Sequence, residues 1–136
     1  MARDEAVRRY AAGVGARRGV AAEVIVDLVR SVAHTHGVPL AEVTLCTLES
    51  KADEAGLHEA AATLGVDLVF LPLDALKARK GAAPTHSPRV QAMFGVGSVA
   101  EAAALVGAGP GSHLLAPRVA TPYAACALAI RAEDEK

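Results

Sequence analysis

From Ala21 to His36 the apolar residues Val24, Ile25, Leu28, Val29 and Val32 recur at helical spacing and predict a helix with one buried face. Gly37 stops that helix and Pro39 prevents its resumption. The period then changes. Val43 to Leu48 (VTLCTL) alternates and is rich in β-branched residues, which predicts a strand. Asp53 stands where an N-cap belongs for a helix reaching Leu64, and Gly65 follows as its stop. Asp67 to Leu71 (DLVFL) is short and continuously apolar after its first residue, the pattern of a strand covered on both faces. Leu73 to Arg79 reads as a short helix. Upstream, the apolar residues Tyr10, Ala11 and Ala12 read as a first strand that ends in a glycine loop, Gly13 to Gly19 (GVGARRG).

The segment from Lys80 to Gly97 is irregular. Its prolines and glycine (KGAAPTHSP) predict a surface loop, with one helical turn from Pro88 through Phe94. Ser98 then caps a helix, SVAEAAALVG, with Glu101 at the capping-box position, and GAGPGS ends it. His113 to Pro117 and Tyr123 to Arg131 read as two final strands, joined through Val119 to Pro122. Together these elements predict one α/β domain over residues 1–136 with flexible tails at 1–5 and 132–136. The expected architecture is three-layer α/β/α, around a mixed, mostly parallel sheet of about five strands that closes with a C-terminal hairpin. Ligands of such sheets sit outside the carboxyl ends of the strands. The Gly13–Gly19 loop, the Glu49–Asp53 loop and the Lys80–Gly97 loop are therefore expected to meet at one edge.

Composition sharpens the picture of the core. Hydrophobic residues make up 52% of the chain but aromatics only 3%, with no Trp, so the interior must be built from Ala, Val and Leu. The net charge of −1 provides no global field toward nucleic acid or an acidic membrane. MARDEAVRRY lacks the apolar core of a secretory signal, and the apolar run Tyr123–Ile130 falls far short of the roughly 20 residues of a membrane helix. A cytoplasmic protein is expected. Cys46 and Cys126 lie in apolar, strand-like runs without CxxC spacing, as free buried thiols do. His34 and His36 diverge around a helix and suit its C-terminal dipole; His58, on a helix, and His113, at a strand start, complete no metal-ligand set. No metal site and no cofactor motif emerges.

Three clusters carry candidate chemistry. In GVGARRG the glycines permit a sharp turn and close approach of a ligand, the following helix aims its N–H groups at the loop, and Arg17 and Arg18 add full charge. A structural turn accounts for the glycines alone, but an apolar strand edge has no structural need of both arginines. A nucleotide- or phosphate-binding domain is the alternative, although the third glycine comes one position late for GxGxxG. In LESKADEAGL, helix-start electrostatics explain Asp53 and Glu54 but not Lys51, which is the stronger ligand candidate. Asp53, Glu54 and, in the proline loop, His86 are the candidate general acids or bases. In the third cluster, a capping box accounts for Ser98 and Glu101, and the N–H groups at Ser98 and Val99 are candidates to cradle an acidic ligand.

These motifs, in this order, resemble the CobE/CbiG C-terminal family of cobalamin biosynthesis. The family's G-[IV]-G-C-R-R-G loop corresponds to Gly13–Gly19, its K-A-D-E-x-G-[LI] stretch to Lys51–Leu57, and its G-V-x-S-V-[AS]-E-A-A-A helix start to Gly95–Ala104. Ala16 replaces the family's loop cysteine, which excludes a thiol role there. Arg118 to Tyr123 replaces a basic, glycine-rich turn, keeping one base and losing the glycines, and this leaves open whether the hairpin touches ligand. The resemblance, to the stand-alone form of the family, implies a polycarboxylate precorrin or corrinoid intermediate as ligand, with other cobalamin-pathway enzymes as candidate partners. It implies a carrier, or an enzyme of one hydrolase-like ring-modification step. In larger CbiG proteins the domain is fused behind others, and those proteins open the ring-A lactone of a cobalt-precorrin; a lactone-hydrolase activity of that kind is the alternative, although the stand-alone form expected here would lack the fused regions. Ligand-binding residues expected on this reading are Gly13, Val14, Gly15, Ala16, Arg17, Arg18, Gly19, Lys51, Gly97, Ser98 and Val99. Apolar surface near Val14, Val96 and Val99 would meet the macrocycle.

Overall fold

The structure, a computed structural model, describes residues 8–78 and 99–132. Strand β1 (Tyr10–Ala16) leads into helix α1 (Ala22–Thr35), then β2 (Val43–Leu48), α2 (Ala55–Leu64), β3 (Asp67–Leu71) and the short α3 (Leu73–Ala78). Helix α4 (Val99–Ala108) follows, and β4 (His113–Ala120) and β5 (Ala124–Ile130) close the chain. The strands form one five-stranded sheet in the order β3-β2-β1-β5-β4. β1, β2 and β3 are parallel, while β5 runs antiparallel to both β1 and β4. This is the expected mixed α/β sheet with its terminal hairpin.

Strand alternation sorts the core into two layers. Val14, Leu45, Cys126 and Leu128 face α1 and α2, where Ile25, Val29, Leu57 and Ala60 are buried. Ala11, Cys46, Ala127 and Ala129 face α3 and α4, against Leu76, Ala100, Ala104 and Leu105. Alanine predominates in the second layer, and it brings the helix axis very close to the sheet. A Cβ added at Gly13 would fall on the backbone of α4, at the Ala100 carbonyl oxygen and the Ala104 nitrogen.

That close approach corrects the expected end of β1. The strand does not stop before Gly13; it continues through Gly13, Val14 and Gly15 to Ala16, paired with β5 over its whole length. Glycine lowers strand propensity, but helix–sheet packing here requires its missing side chain. Other boundaries shift for similar reasons. Glu54, not Asp53, occupies the N-cap position of α2, without a side-chain cap bond, and a 3-10 turn at Glu49–Lys51 precedes it. β3 is an edge strand, half-buried from Leu68 to Leu71, rather than covered on both faces. β4 runs past Pro117 to Ala120, because an edge strand tolerates a residue without an N–H where the register shifts, between Ala116 and Val119. The Pro88–Phe94 turn and the rest of the Lys80–Gly97 loop lie outside the described residues, as do most of the expected tails.

Cys46 and Cys126 are free and buried, and burial pushes both thiols up to about 12. The disulfide reagent DTNB at pH 8 is therefore expected to leave both unmodified in the native protein and to label both after unfolding. Because the folded-state value lies above the ordinary 9.0, this contribution to stability is full below pH 9 and is lost as pH rises from there toward 12. Rapid labelling of native protein would contradict the packing of α4 over Cys46 or of α1 and α2 over Cys126.

Candidate functional site

The carboxyl end of β1 and the amino end of α4 meet at one edge of the sheet. At Gly15 an added Cβ would lie 3.7 Å from the Val99 Cβ and 3.9 Å from the Ala100 nitrogen, so the first turn of α4 hangs over this strand end. Such a helix start presents unpaired N–H groups and a positive dipole end. Beyond Ala16 the chain turns out of the sheet: the Val20 N–H donates to the Arg17 carbonyl at 3.2 Å, and Gly19 takes the left-handed conformation at φ 79°. Arg17 and Arg18 are exposed on this turn. β1 pairs with β2 only through Gly13, and there the strands part. The Thr47 hydroxyl fills the gap by donating to the Val14 carbonyl at 2.7 Å.

The second motif is built into the first. The Gly19 N–H donates to Glu54 Oε1 at 2.9 Å, and Gly56 lets the start of α2 abut the Val20 carbonyl, where a Cβ would collide. Ahead of them, the turn from Glu49 to Glu54 is closed by its own amides, with Ala52 N–H on the Glu49 carbonyl and Glu54 N–H on the Lys51 carbonyl, each at 3.0 Å. His58 Nε2 donates to the Ala52 carbonyl at 2.7 Å, and its ring lies 5.5 Å from that of Phe70. Glu54, Gly56 and His58 thus hold the arginine turn and the Lys51 turn together. Lys51 is half-buried and Asp53 exposed. No hydrogen bond or ion pair joins the side chains of Arg17, Arg18 or Lys51 to another described residue.

Not every residue of the sequence reading stands at this edge as a side chain. Val14 is fully buried in the α1–α2 layer, so it offers a ligand no apolar surface. Gly13 is likewise buried, under α4, whereas Gly15, Ala16 and Val99 are half-buried at the strand and helix ends. His86, Val96, Gly97 and Ser98 lie outside the described residues. Among the described residues no group of three or more His, Cys, Asp or Glu could hold a metal ion, and no helix is long and apolar enough to cross a membrane.

The structure brings the β4–β5 hairpin, whose contact with ligand the sequence leaves open, to this same edge. Ala16 pairs with Ala124, so the β4–β5 turn arrives beside the arginine turn, and the Arg17 N–H donates to the Tyr123 carbonyl at 2.9 Å. Nothing in one sequence reveals the strand order that makes these neighbours. Deeper in, the fully buried Glu101 of α4 accepts the Arg118 backbone N–H at 2.9 Å through Oε2. Its role extends beyond a capping position.

One stability prediction follows from the Glu54 contact. Glu54→Ala removes the acceptor of an exposed amide, so the expected cost is about 1 kcal/mol or less in denaturant unfolding. Glu54→Gln keeps an acceptor and is expected to recover most of it. Equal losses for the two variants would mean that the contact itself contributes nothing.

Comparison with known proteins agrees with this architecture. The family described as Cobalamin synthesis G C-terminus matches residues 10–130. A protein named CobE from Sinorhizobium sp is 32% identical over 118 residues, covering 86% of this chain and 77% of that one. The crystal structure of CobE, described as a protein from the cobalamin (vitamin B12) biosynthetic pathway, superposes with a TM-score of 0.84 at 32% identity, covering 94% of each chain. Cobalamin biosynthesis protein chiG from Agrobacterium tumefaciens gives a TM-score of 0.69 at 36% identity, over 91% of this chain and 99% of that one. At 16% identity a Sulfolobus solfataricus structure, a cobalamin biosynthesis protein G homolog, shares the fold, with a TM-score of 0.64 over 93% of this chain and 38% of that one. The chain belongs to the CbiG C-terminal family and is a CobE/CbiG-like protein of the cobalamin biosynthesis pathway.

Proposed function

We propose that this protein binds a polycarboxylate precorrin or corrinoid intermediate at the carboxyl edge of its sheet and carries it between enzymes of the pathway. The observation that carries the reading is the set of cations there. Arg17, Arg18 and Lys51 have no side-chain partner among the described residues, and they stand on turns locked to each other by Glu54. Cations on held turns and without internal partners are suited to grip carboxylates, and arginine does so in a bidentate way. The overhanging start of α4 adds a partial positive charge.

Two features favour carriage over chemistry. The Glu54 carboxylate is occupied by the Gly19 N–H, and Asp53 is exposed to water. A phosphate cradle fits less well, because Gly13 serves the packing of α4 and β1 continues through Gly15, leaving no glycine loop at the strand end.

The test is incubation of the purified protein with hydrogenobyrinic acid, followed by gel filtration and mass spectrometry of the bound pigment. A coloured complex with pigment of unchanged mass is expected. A mass change would mean that the protein catalyses a step. A protein that retains ATP but no tetrapyrrole would refute the reading.

A further inference from the structure

We infer that the end of the β4–β5 hairpin, from Arg118 to Tyr123, is a further wall of the same site. The Tyr123 ring takes the flat apolar face of the macrocycle, and the Arg118 guanidinium takes a carboxylate on its rim. The inference rests on the tetrapyrrole-binding reading above and names residues that the motifs do not contain.

The first ground is Tyr123. It is 58% exposed and Val119 45%, and these are the exposed large hydrophobics among the described residues. Yet the Tyr123 backbone is fastened on both sides. Its N–H donates to the Thr121 hydroxyl oxygen at 3.1 Å, and its carbonyl accepts the Arg17 N–H at 2.9 Å. The Thr121 hydroxyl also accepts the Ala124 N–H at 3.1 Å, and the Thr121 N–H donates to the Ala124 carbonyl at 2.8 Å. A rigid turn thus holds an aromatic ring in water next to the arginine pair, in a chain with few aromatics. The ring adds nothing to the core. An aromatic face with a fixed backbone is suited to stack on a flat conjugated ligand, since little freedom remains to be lost on binding.

The second ground is Arg118. The register of β4 against β5 shifts between Ala116 and Val119, so Arg118 lies in a bulge, a feature that re-aims a side chain. The bulge is fixed by Glu101, fully buried in the first turn of α4, whose Oε2 accepts the Arg118 N–H. One carboxylate therefore ties the helix start over Gly15 to the backbone of this arginine. The Arg118 side chain is half-buried and makes no hydrogen bond or ion pair with a described residue. β4 runs in the same direction as β1, so its last residues reach the edge where Arg17 and Arg18 stand.

The test titrates hydrogenobyrinic acid into wild type and into Tyr123→Ala, Tyr123→Phe and Arg118→Ala, following the pigment's visible absorbance. Tyr123→Ala is expected to weaken binding about tenfold or more, and Tyr123→Phe to retain it. Arg118→Ala keeps the backbone N–H that Glu101 needs, so the fold is expected to stand. It should bind the acid about tenfold more weakly, flatten the salt dependence, and reduce the preference over a fully amidated analogue. Hairpin variants that bind like wild type, while Arg17→Ala with Arg18→Ala abolishes binding, would overturn this inference alone. Failure of wild type to bind any tetrapyrrole would overturn both readings. If Tyr123→Ala instead turns a dimer into a monomer in sedimentation at unchanged affinity, the ring serves an interface between copies and the inference falls.

Discussion

Gly13→Ala is expected to destabilise the domain by about 3 kcal/mol and to lower its melting temperature by about 10 °C. The new methyl would fall on the Ala100 carbonyl oxygen and the Ala104 nitrogen. Both are backbone atoms of α4, so no side chain can swing away. The helix would have to lift from β1, and its tightest contacts lie in an alanine layer that includes Ala11, Ala100, Ala104 and Ala127. These alanines have no rotamers through which to relax. Lifting α4 would also draw Glu101 away from Arg118 and the helix start away from Gly15. The matched control is Gly15→Ala, whose methyl would meet Val99 at 3.7 Å, an ordinary contact. It is expected to leave stability within about 0.5 kcal/mol. Guanidinium unfolding of the pair separates a packing requirement at Gly13 from a general intolerance of side chains in the strand. Equal midpoints for the two variants would show that α4 does not press on β1 as described.

The same contact explains what the sequence could and could not disclose. Element types were readable because their periods are distinct: the apolar face of α1, the alternation of VTLCTL and the stop at Gly65, φ 73°, each follow from local rules. The role of Gly13 was not readable, because it depends on a helix nearly ninety residues later in the chain. GVGARRG has the composition of a loop, and its first half became strand since a partner pressed against it. Glu54 shows the same limit in the candidate site. Beside a helix start its charge looked like dipole compensation or a proton carrier, but its carboxylate is engaged by Gly19 across the fold. The paired arginines stood out in the sequence because a strand end has no packing use for them, and in the structure both are exposed. For the hairpin from Arg118 to Tyr123 the sequence left contact with ligand open, and only the pairing of β5 with β1 brings it to the same edge.

Arg17→Ala combined with Arg18→Ala is expected to weaken binding of hydrogenobyrinic acid by about a hundredfold or more while leaving the melting temperature unchanged. Each arginine–carboxylate contact is worth about 1.5–3 kcal/mol where water is partly excluded, and two such losses multiply to that range. Stability should not change, because both residues are exposed and neither side chain has a partner among the described residues. The backbone that holds the turn is untouched: the Arg17 N–H still reaches Tyr123, and Gly19 still reaches Glu54. Replacing both arginines by lysine retains the charge but loses the planar fork, so intermediate affinity is expected if bidentate geometry matters. Arg30→Ala, on the exposed face of α1, controls for net charge. If the double alanine variant binds like wild type, the carboxylates lie elsewhere. If it and Arg30→Ala weaken binding alike, only general attraction operates. A large loss confined to the arginine turn, with lysine intermediate, is the pattern of a built carboxylate site.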